Sequence, residues 1–371
     1  MPVAETASSA IRSPFHKAHA HLGATFMEEG GWLWTEGFGD LDAEYRAVRD
    51  DLGVWDVSPL NKWHFRGPDA LRAADRLHTN NVAALKVGQV HYGAFCDTDG
   101  LMVDDGTVFK FSDDRAWVMT NSRELEDHFA EVTRGLNVDI EYIGLELPHL
   151  GLQGPRSRDA LAPICSADIF ALRYFHFIPE PVKVGGVPCW VSRTGFGGEL
   201  GYELFCKPEN AEDLWAVVIE QCAARPFGVE AIELLRVEAG LIVTDYDYHP
   251  HERTPFDFSM DRLVALAAAD FNGKAALAEV AVNPPHRFKT LILESDELPE
   301  YGAVVTSDGE PAGTLTSPTR SPRFGQIGLA ILDSRYARDG QMLEVAVGDG
   351  TVPAKVDVLP IYDPQKRRPR S

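Results

Sequence analysis

The sequence predicts an α+β fold that closes in a small all-β domain. Two observations lead there. Before residue 283, strand-like and helix-like segments mix without the regular βαβ rhythm of a doubly wound sheet. After the break at Asn283-Pro284-Pro285 the pattern changes to short apolar runs with closely spaced turns, which is the signature of a small barrel or sandwich. The division this gives is 1–282 for a mixed region of two interleaved α+β subdomains and 283–371 for a β-barrel domain.

The elements follow in order. Residues up to about Gly37, with Trp32 and Trp34, read as a lead-in that packs on the body. A helix is predicted over 41–52, with Asp40 as N-cap and Gly53 as stop. Strands follow at 54–57 and 63–65, and Gly67-Pro68-Asp69 opens a helix through Leu77. The run 90–95, the turn Asp97-Thr98-Asp99-Gly100 and the run 101–103 make one hairpin. Runs 108–111 and 117–120 make a second hairpin around Asp113-Asp114. A helix over 123–136 and a strand over 147–152 come next, and Gln153-Gly154-Pro155 starts another helix. In the last domain, strands are expected at 289–293, 303–306, 313–316, 328–331, 342–347 and 352–358. The basic run 366–370 reads as a solvated terminus.

Composition removes several function classes. The net charge is −21, from 56 acidic and 35 basic residues. That balance disfavours non-specific binding to nucleic acid or an anionic membrane. The five cysteines include no C-x-x-C pair, so reduced thiols are expected rather than a disulfide framework or a zinc site. The first residues lack an apolar core behind a basic start, and no apolar run reaches spanning length. A cytoplasmic protein is expected. The single Gly-rich stretch opens no βαβ unit and carries no Walker lysine, which leaves nucleotide and dinucleotide binding without support.

Four constellations could carry chemistry. Asp104 and Asp105 end an apolar strand, and on a continuing strand they point to opposite faces. One can then face a pocket, or the pair can simply cap amides in a turn. Thr194-Gly195-Phe196-Gly197-Gly198-Glu199 lets the backbone approach a flat ligand and offers a carboxylate to its polar edge. The same residues also suit a hairpin into a strand at 202–206. Glu233 and Arg236 on a predicted helix make an i,i+3 ion pair, or a fixed guanidinium for a carboxylate or a polar ring. The segment Asp245-Tyr246-Asp247-Tyr248-His249-Pro250-His251 is dense in possible ligands, but no second His/Cys pair stands at ligand spacing and no metal is expected. It reads as a loop at a substrate entrance or as an exposed polar loop.

Taken in order, these segments resemble the glycine-cleavage T-protein (aminomethyltransferase) family, which includes tetrahydrofolate-dependent demethylases. The resemblance runs from about Glu44 to Val358. It is carried by Gly53-Val54-Trp55-Asp56-Val57-Ser58-Pro59-Leu60, Leu85 to Tyr92, Asp104-Asp105, Thr120-Asn121-Ser122, Leu152-Gln153-Gly154-Pro155, Gly195 to Glu203, Leu235-Arg236-Val237-Glu238-Ala239-Gly240 and Asp270-Phe271-Asn272-Gly273-Lys274. It implies a cloverleaf of three subdomains around a central folate site, ending in a β-barrel. It also implies tetrahydrofolate as cofactor and Asp104 as the catalytic carboxylate, with Asp105 in support. Glu199 and Arg236 become folate-binding, and Tyr92 and Asn121 lie near the ligand.

Departures from the family pattern bear on the substrate. Asp-Val-Ser-His-Met of the T-protein becomes Asp56-Val57-Ser58-Pro59-Leu60, and Asp-Asp-Leu becomes Asp104-Asp105-Gly106. The stretch Tyr-Gly-x-Glu-Met becomes Thr244-Asp245-Tyr246-Asp247-Tyr248. These changes lead to a small O-, N- or S-methylated substrate rather than a lipoyl carrier protein. Tyr246, Tyr248, His249 and His251 are its candidate contacts, and one of them the candidate general acid. Three other readings stand beside this one: the aminomethyltransferase itself, a non-catalytic folate-binding protein, and a folate-independent family member.

Overall fold

The computed structural model describes residues 9–268 and 270–371; the first eight residues of the stretch read above for a leader lie outside them. The architecture is mixed α+β. Among the described residues the strands form a short hairpin, a five-stranded sheet, a six-stranded sheet and a closed six-stranded barrel.

The lead-in segment forms a helix, His16–His21, and the hairpin Thr25–Glu29 with Trp32–Gly37. The helix Leu41–Asp50 starts where predicted, with the Asp40 carboxylate accepting the Ala43 N–H at 3.0 Å. Its inner face carries Tyr45, Val48 and Arg49, all buried. Gly53 does not simply stop it but begins the strand Gly53–Asp56. That strand lies in the six-stranded sheet beside His149–Gln153.

The five-stranded sheet runs Val90–Cys96, Met102–Lys110, Arg115–Thr120, Asn61–Arg66, Asp139–Tyr142. Here the structure corrects the sequence reading. The two predicted hairpins share one continuous strand, Met102–Lys110, so Asp104 and Asp105 sit within a strand and not in a turn. Gly106 pairs with Gly93 on one side and Thr120 on the other. A Cβ added at Gly106 would lie 1.9 Å from the Met119 carbonyl oxygen. The departure Asp105-Gly106 thus has a packing cause: the strands approach too closely for a side chain. The helix predicted over 123–136 shortens to Glu126–Val132, anchored by buried Phe129.

All six predicted barrel strands are present, from His286–Leu293 to Gly350–Asp357, and they close in the order His286–Leu293, Gly325–Asp333, Glu310–Ser321, Ala303–Ser307, Met342–Val347, Gly350–Asp357. The barrel has its own interior around Leu291, Leu315 and Val345. It also shares a core with the first region, in which Ala94, Met102, Val237 and Tyr248 pack with Phe288, Ile327 and Leu329. The proline break therefore divides the chain without dividing the hydrophobic core. The basic terminus is not simply solvated: the Arg193 guanidinium donates to the Pro369 carbonyl at 3.1 Å, and Arg368 reaches Glu199 at 3.3 Å.

Candidate active site

The site is built where one strand outruns its neighbour. Arg115–Thr120 ends opposite Gly106, and the chain turns away at Asn121 and Ser122. Their two backbone N–H groups close on the Asp104 carboxylate, donating to Oδ2 at 3.0 and 2.9 Å. Oδ1 accepts the Asp105 N–H and Asn121 Nδ2, both at 2.8 Å, and faces the Thr244 hydroxyl at 3.3 Å. Asp104 is fully buried.

Asp105 is 5% exposed and differently held. Its Oδ1 accepts the Tyr248 hydroxyl at 2.5 Å, and its Oδ2 accepts the Tyr92 hydroxyl at 2.8 Å. Asn121 Nδ2 lies 3.2 Å from Oδ1. Burial is the first cause that raises both carboxyls above the ordinary range, and the neighbouring Asp105 charge adds to the effect on Asp104. Burial first, and then the Asp105 charge, push the Tyr92 and Tyr248 phenols well up.

The sign for stability follows. A carboxyl raised in the folded state binds more protons there than in the unfolded chain. The pair's contribution is full below the ordinary carboxylate range and is lost as pH rises towards neutrality. Urea denaturation across that window should show stability falling with pH more steeply in the wild type than in Asp104→Asn. Equal slopes would show that the pair does not titrate there.

The loop after the helix Val229–Glu238 brings Thr244 and Tyr248 to the pair. Asp245, at φ 70°, turns the chain, and its N–H bonds back to the Tyr248 carbonyl at 2.7 Å. The structure thus gathers Asp104, Asp105, Tyr92, Asn121 and Tyr248 into one buried network, and adds Thr244. Tyr246 lies elsewhere, bonded to Glu29 and with its ring 5.6 Å from that of Tyr301. The histidines are not in the network. His249 and His251 have side chains 63% and 61% exposed and bond to Asp245 at 3.4 Å and Asp97 at 2.7 Å. Their loop points them to solvent, which removes them as contacts of the acidic pair in this conformation.

Arg236 departs from the ligand-binding role that the resemblance implies. Its Nε donates to Glu233 at 2.8 Å. Nη1 donates to Asp247 at 2.6 Å and the Leu241 carbonyl at 3.2 Å. Nη2 donates to Glu233 and to Ser317 at 2.8 Å. A guanidinium has five N–H donors, and these partners engage all of them. Arg236 therefore joins its helix to the barrel through Ser317, and in this conformation offers no free donor. Its partner Asp247, which the sequence reading left without a role, also accepts the Ser317 hydroxyl at 2.7 Å.

Glu199 lies in a third cluster. It accepts the Tyr362 hydroxyl, Arg368 at 3.3 Å and Arg49 at 3.5 Å. The Arg49 guanidinium stacks 3.9 Å from the Tyr362 ring centre and donates through Nε to Glu238 at 2.9 Å. Burial raises the Glu199 carboxyl, against the pull of Tyr362 and the arginines. The sequence reading missed Arg49, Glu238, Tyr362 and Arg368 as a group. One signal was available for Arg49: it follows Tyr45 by four residues on the apolar face of its helix, where an arginine needs a buried partner.

The chemistry of these groups suits a reduced pterin in part. Such a ring presents N–H donors along one edge, and buried carboxylates are their natural acceptors. The Tyr362 hydroxyl occupies Glu199 Oε1, whereas Oε2 is reached only by Arg368 at 3.3 Å, so Oε2 retains capacity to accept. Arg236 does not meet the same test.

A body of two sheets joined by a shared core to a closed six-stranded barrel, with a buried acidic pair on one sheet, defines the structural class. Residues 15–268 match the GCVT N-terminal domain and residues 287–363 the glycine cleavage T-protein C-terminal barrel domain. The chain belongs to the glycine cleavage T-protein family. It is 33% identical over 365 residues to a probable aminomethyltransferase of Halobacterium salinarum, covering 95% of this chain and 98% of that one. It is 32% identical over 361 residues to the aminomethyltransferase of Bacillus subtilis, covering 95% and 99%. The crystal structure of the glycine cleavage system aminomethyltransferase T from Bartonella henselae superposes with a TM-score of 0.86, at 22% identity and with coverage of 96% and 99%. That likeness shows the fold.

Proposed function

We propose that the protein transfers a one-carbon unit to tetrahydrofolate, with Asp104 as the catalytic carboxylate. The observation that carries this is the Asp104 side chain, fully buried yet held by the N–H groups of Asn121, Ser122 and Asp105. A fixed anion of this kind stabilises positive charge developing beside it without reorganising. Tetrahydrofolate supplies the amine that accepts the carbon. Glu199 would hold its N–H edge, and Tyr92 and Asn121 would fix the carboxylates against it.

The aminomethyl group is the carbon unit that the relatives favour, since both curated relatives described above are named aminomethyltransferase. The donor is then an aminomethyl group on a lipoyl carrier protein. A second reading, demethylation of a small O-, N- or S-methylated compound, is favoured by one observation. Thr244 and Tyr248, which stand where the T-protein pattern has Tyr and Met, both touch the acidic pair. Among the described residues no helix is long and apolar enough to cross a membrane.

The test is an assay with tetrahydrofolate and two sets of donors. Methylenetetrahydrofolate and ammonia from aminomethylated lipoyl carrier support the first reading. Methyltetrahydrofolate from a panel of methylated compounds, with none from the carrier, selects the second. No folate product from any donor overturns both.

A further inference from the structure

The two carboxyls of the pair are held by chemically different partners. Asp104 accepts four N–H bonds, from the backbone of Asn121, Ser122 and Asp105 and from Asn121 Nδ2. An N–H can only donate, so this set favours the ionised carboxylate. Asp105 is held at 2.5 and 2.8 Å by the hydroxyls of Tyr248 and Tyr92, with Asn121 Nδ2 more distant at 3.2 Å. A hydroxyl can donate or accept. Asp105 can therefore take a proton and keep its partners, whereas Asp104 would lose one.

A path connects them. Tyr248 Oη lies 2.5 Å from Asp105 Oδ1 and 2.9 Å from Thr244 Oγ1, which lies 3.3 Å from Asp104 Oδ1. Tyr248 is 3% and Thr244 8% exposed, so the chain of exchangeable oxygens is shielded from water.

We propose that the acidic pair holds a single proton, that this proton resides on Asp105, and that Tyr248 and Thr244 pass it to Asp104. In one concerted passage Asp105 gives its proton to Tyr248 Oη, Tyr248 gives its own to Thr244 Oγ1, and Thr244 gives its own to Asp104 Oδ1. Each O–H bond broken is replaced by one formed, no electrons change carrier, and one proton moves. Tyr248 and Thr244 are positioning residues in this scheme. The other groups facing the pair permit it. Tyr92 is a donor to Asp105. His78, whose Nε2 lies 3.4 Å from the Gly106 carbonyl, is kept neutral by burial, which pushes it down to about 4. Asp247 adds negative charge that raises Asp105, and Arg236 binds Asp247 at 2.6 Å. Burial favours the protonated form of both carboxyls, and the Tyr248 and Tyr92 hydroxyl bonds oppose it at Asp105, so the different partner sets, and not burial or charge, place the proton on Asp105.

The proposal deepens the one-carbon reading, on which it rests for its purpose. A leaving amine or alkoxide needs a proton that an anion alone cannot give; Asp104, charged until the relay, receives the proton that Asp105 gives up and passes it to the leaving group, ending as an anion again with Asp105 ionised. The location of the proton does not depend on that reading.

Infrared spectroscopy of the ligand-free protein between about pH 6 and 7, where the pair titrates, tests the location. A protonated carboxylic acid has a carbonyl stretch that is absent from a carboxylate. Its frequency follows the hydrogen bonds to that group. Within the pair, the Tyr92 hydroxyl touches Asp105 alone, so Tyr92→Phe should move the band, and Tyr248→Phe should move it too. No such band, or a band unmoved by both substitutions, overturns the assignment. For the path, Thr244→Val should lower kcat by about a hundredfold with little change in KM for tetrahydrofolate, and Thr244→Ser should restore it by returning the hydroxyl. Full activity in Thr244→Val, or no rescue by serine, overturns the path. A wild type inactive with every donor removes the proposed reaction and leaves the infrared result standing.

Discussion

Asp104→Asn is expected to lower kcat for one-carbon transfer by about a hundred- to a thousandfold while the protein still folds. The substitution keeps the shape of a side chain that has no exposed surface. It removes the charge, and with it the stabilisation of any cation that forms beside the pair. It also turns one acceptor into a donor. The displaced partner is an N–H of Asn121, Ser122 or Asp105, at a cost of about 1–3 kcal/mol. Relief of a buried anion opposes that cost, so the melting temperature should move little. Calorimetry with tetrahydrofolate separates binding from chemistry. Near-normal kcat in a folded variant would remove Asp104 from the catalytic role.

Arg236→Met should cost about 3–5 kcal/mol of stability. The methionine fills much of the space, but Asp247 is left buried with no cation. Asp247 would keep its bonds from Ser317 at 2.7 Å and the Val243 N–H at 2.9 Å, which satisfy its oxygens without balancing its charge. The same substitution at an exposed pair gives the contrast. Arg66 binds Glu141 at 2.6 Å, but their side chains are 48% and 45% exposed, and Arg66→Met should cost less than about 1 kcal/mol. Urea denaturation of both variants measures the difference. Equal small losses would argue that Arg236 is not holding the barrel to its helix, and would return it to the list of ligand contacts.

Much of the fold was legible because it is written locally. The six barrel strands, the Asp40 cap and the helix after Gly67-Pro68-Asp69 each depend on residues a few positions apart. The turn reading of Asp104 and Asp105, which the structure sets aside for the strand reading, has an equally local origin. Two carboxylates followed by Gly106 look like a turn, and only the approach of Met119 explains a glycine inside a strand. The histidine-rich loop needed the tertiary structure for a different reason. Residue type suggested function at His249 and His251, but backbone direction sends both to solvent.

By itself the sequence determined the α+β class, the closing barrel, the acidic pair and the family to which the chain belongs. Period, turn residues and ordered motifs suffice for those. Only the tertiary structure decided what each charged group does. Tyr248 meets Asp105 across 143 positions of chain, and Arg49 meets Glu238 across 189. Whether a buried carboxylate faces N–H groups, phenols or a guanidinium fixes its protonation and its use, and partners so distant leave no local pattern. That is why Asp104 and Asp105, adjacent and identical in sequence, separate in the folded protein into a carboxyl ringed by amides and a carboxyl held between two tyrosines.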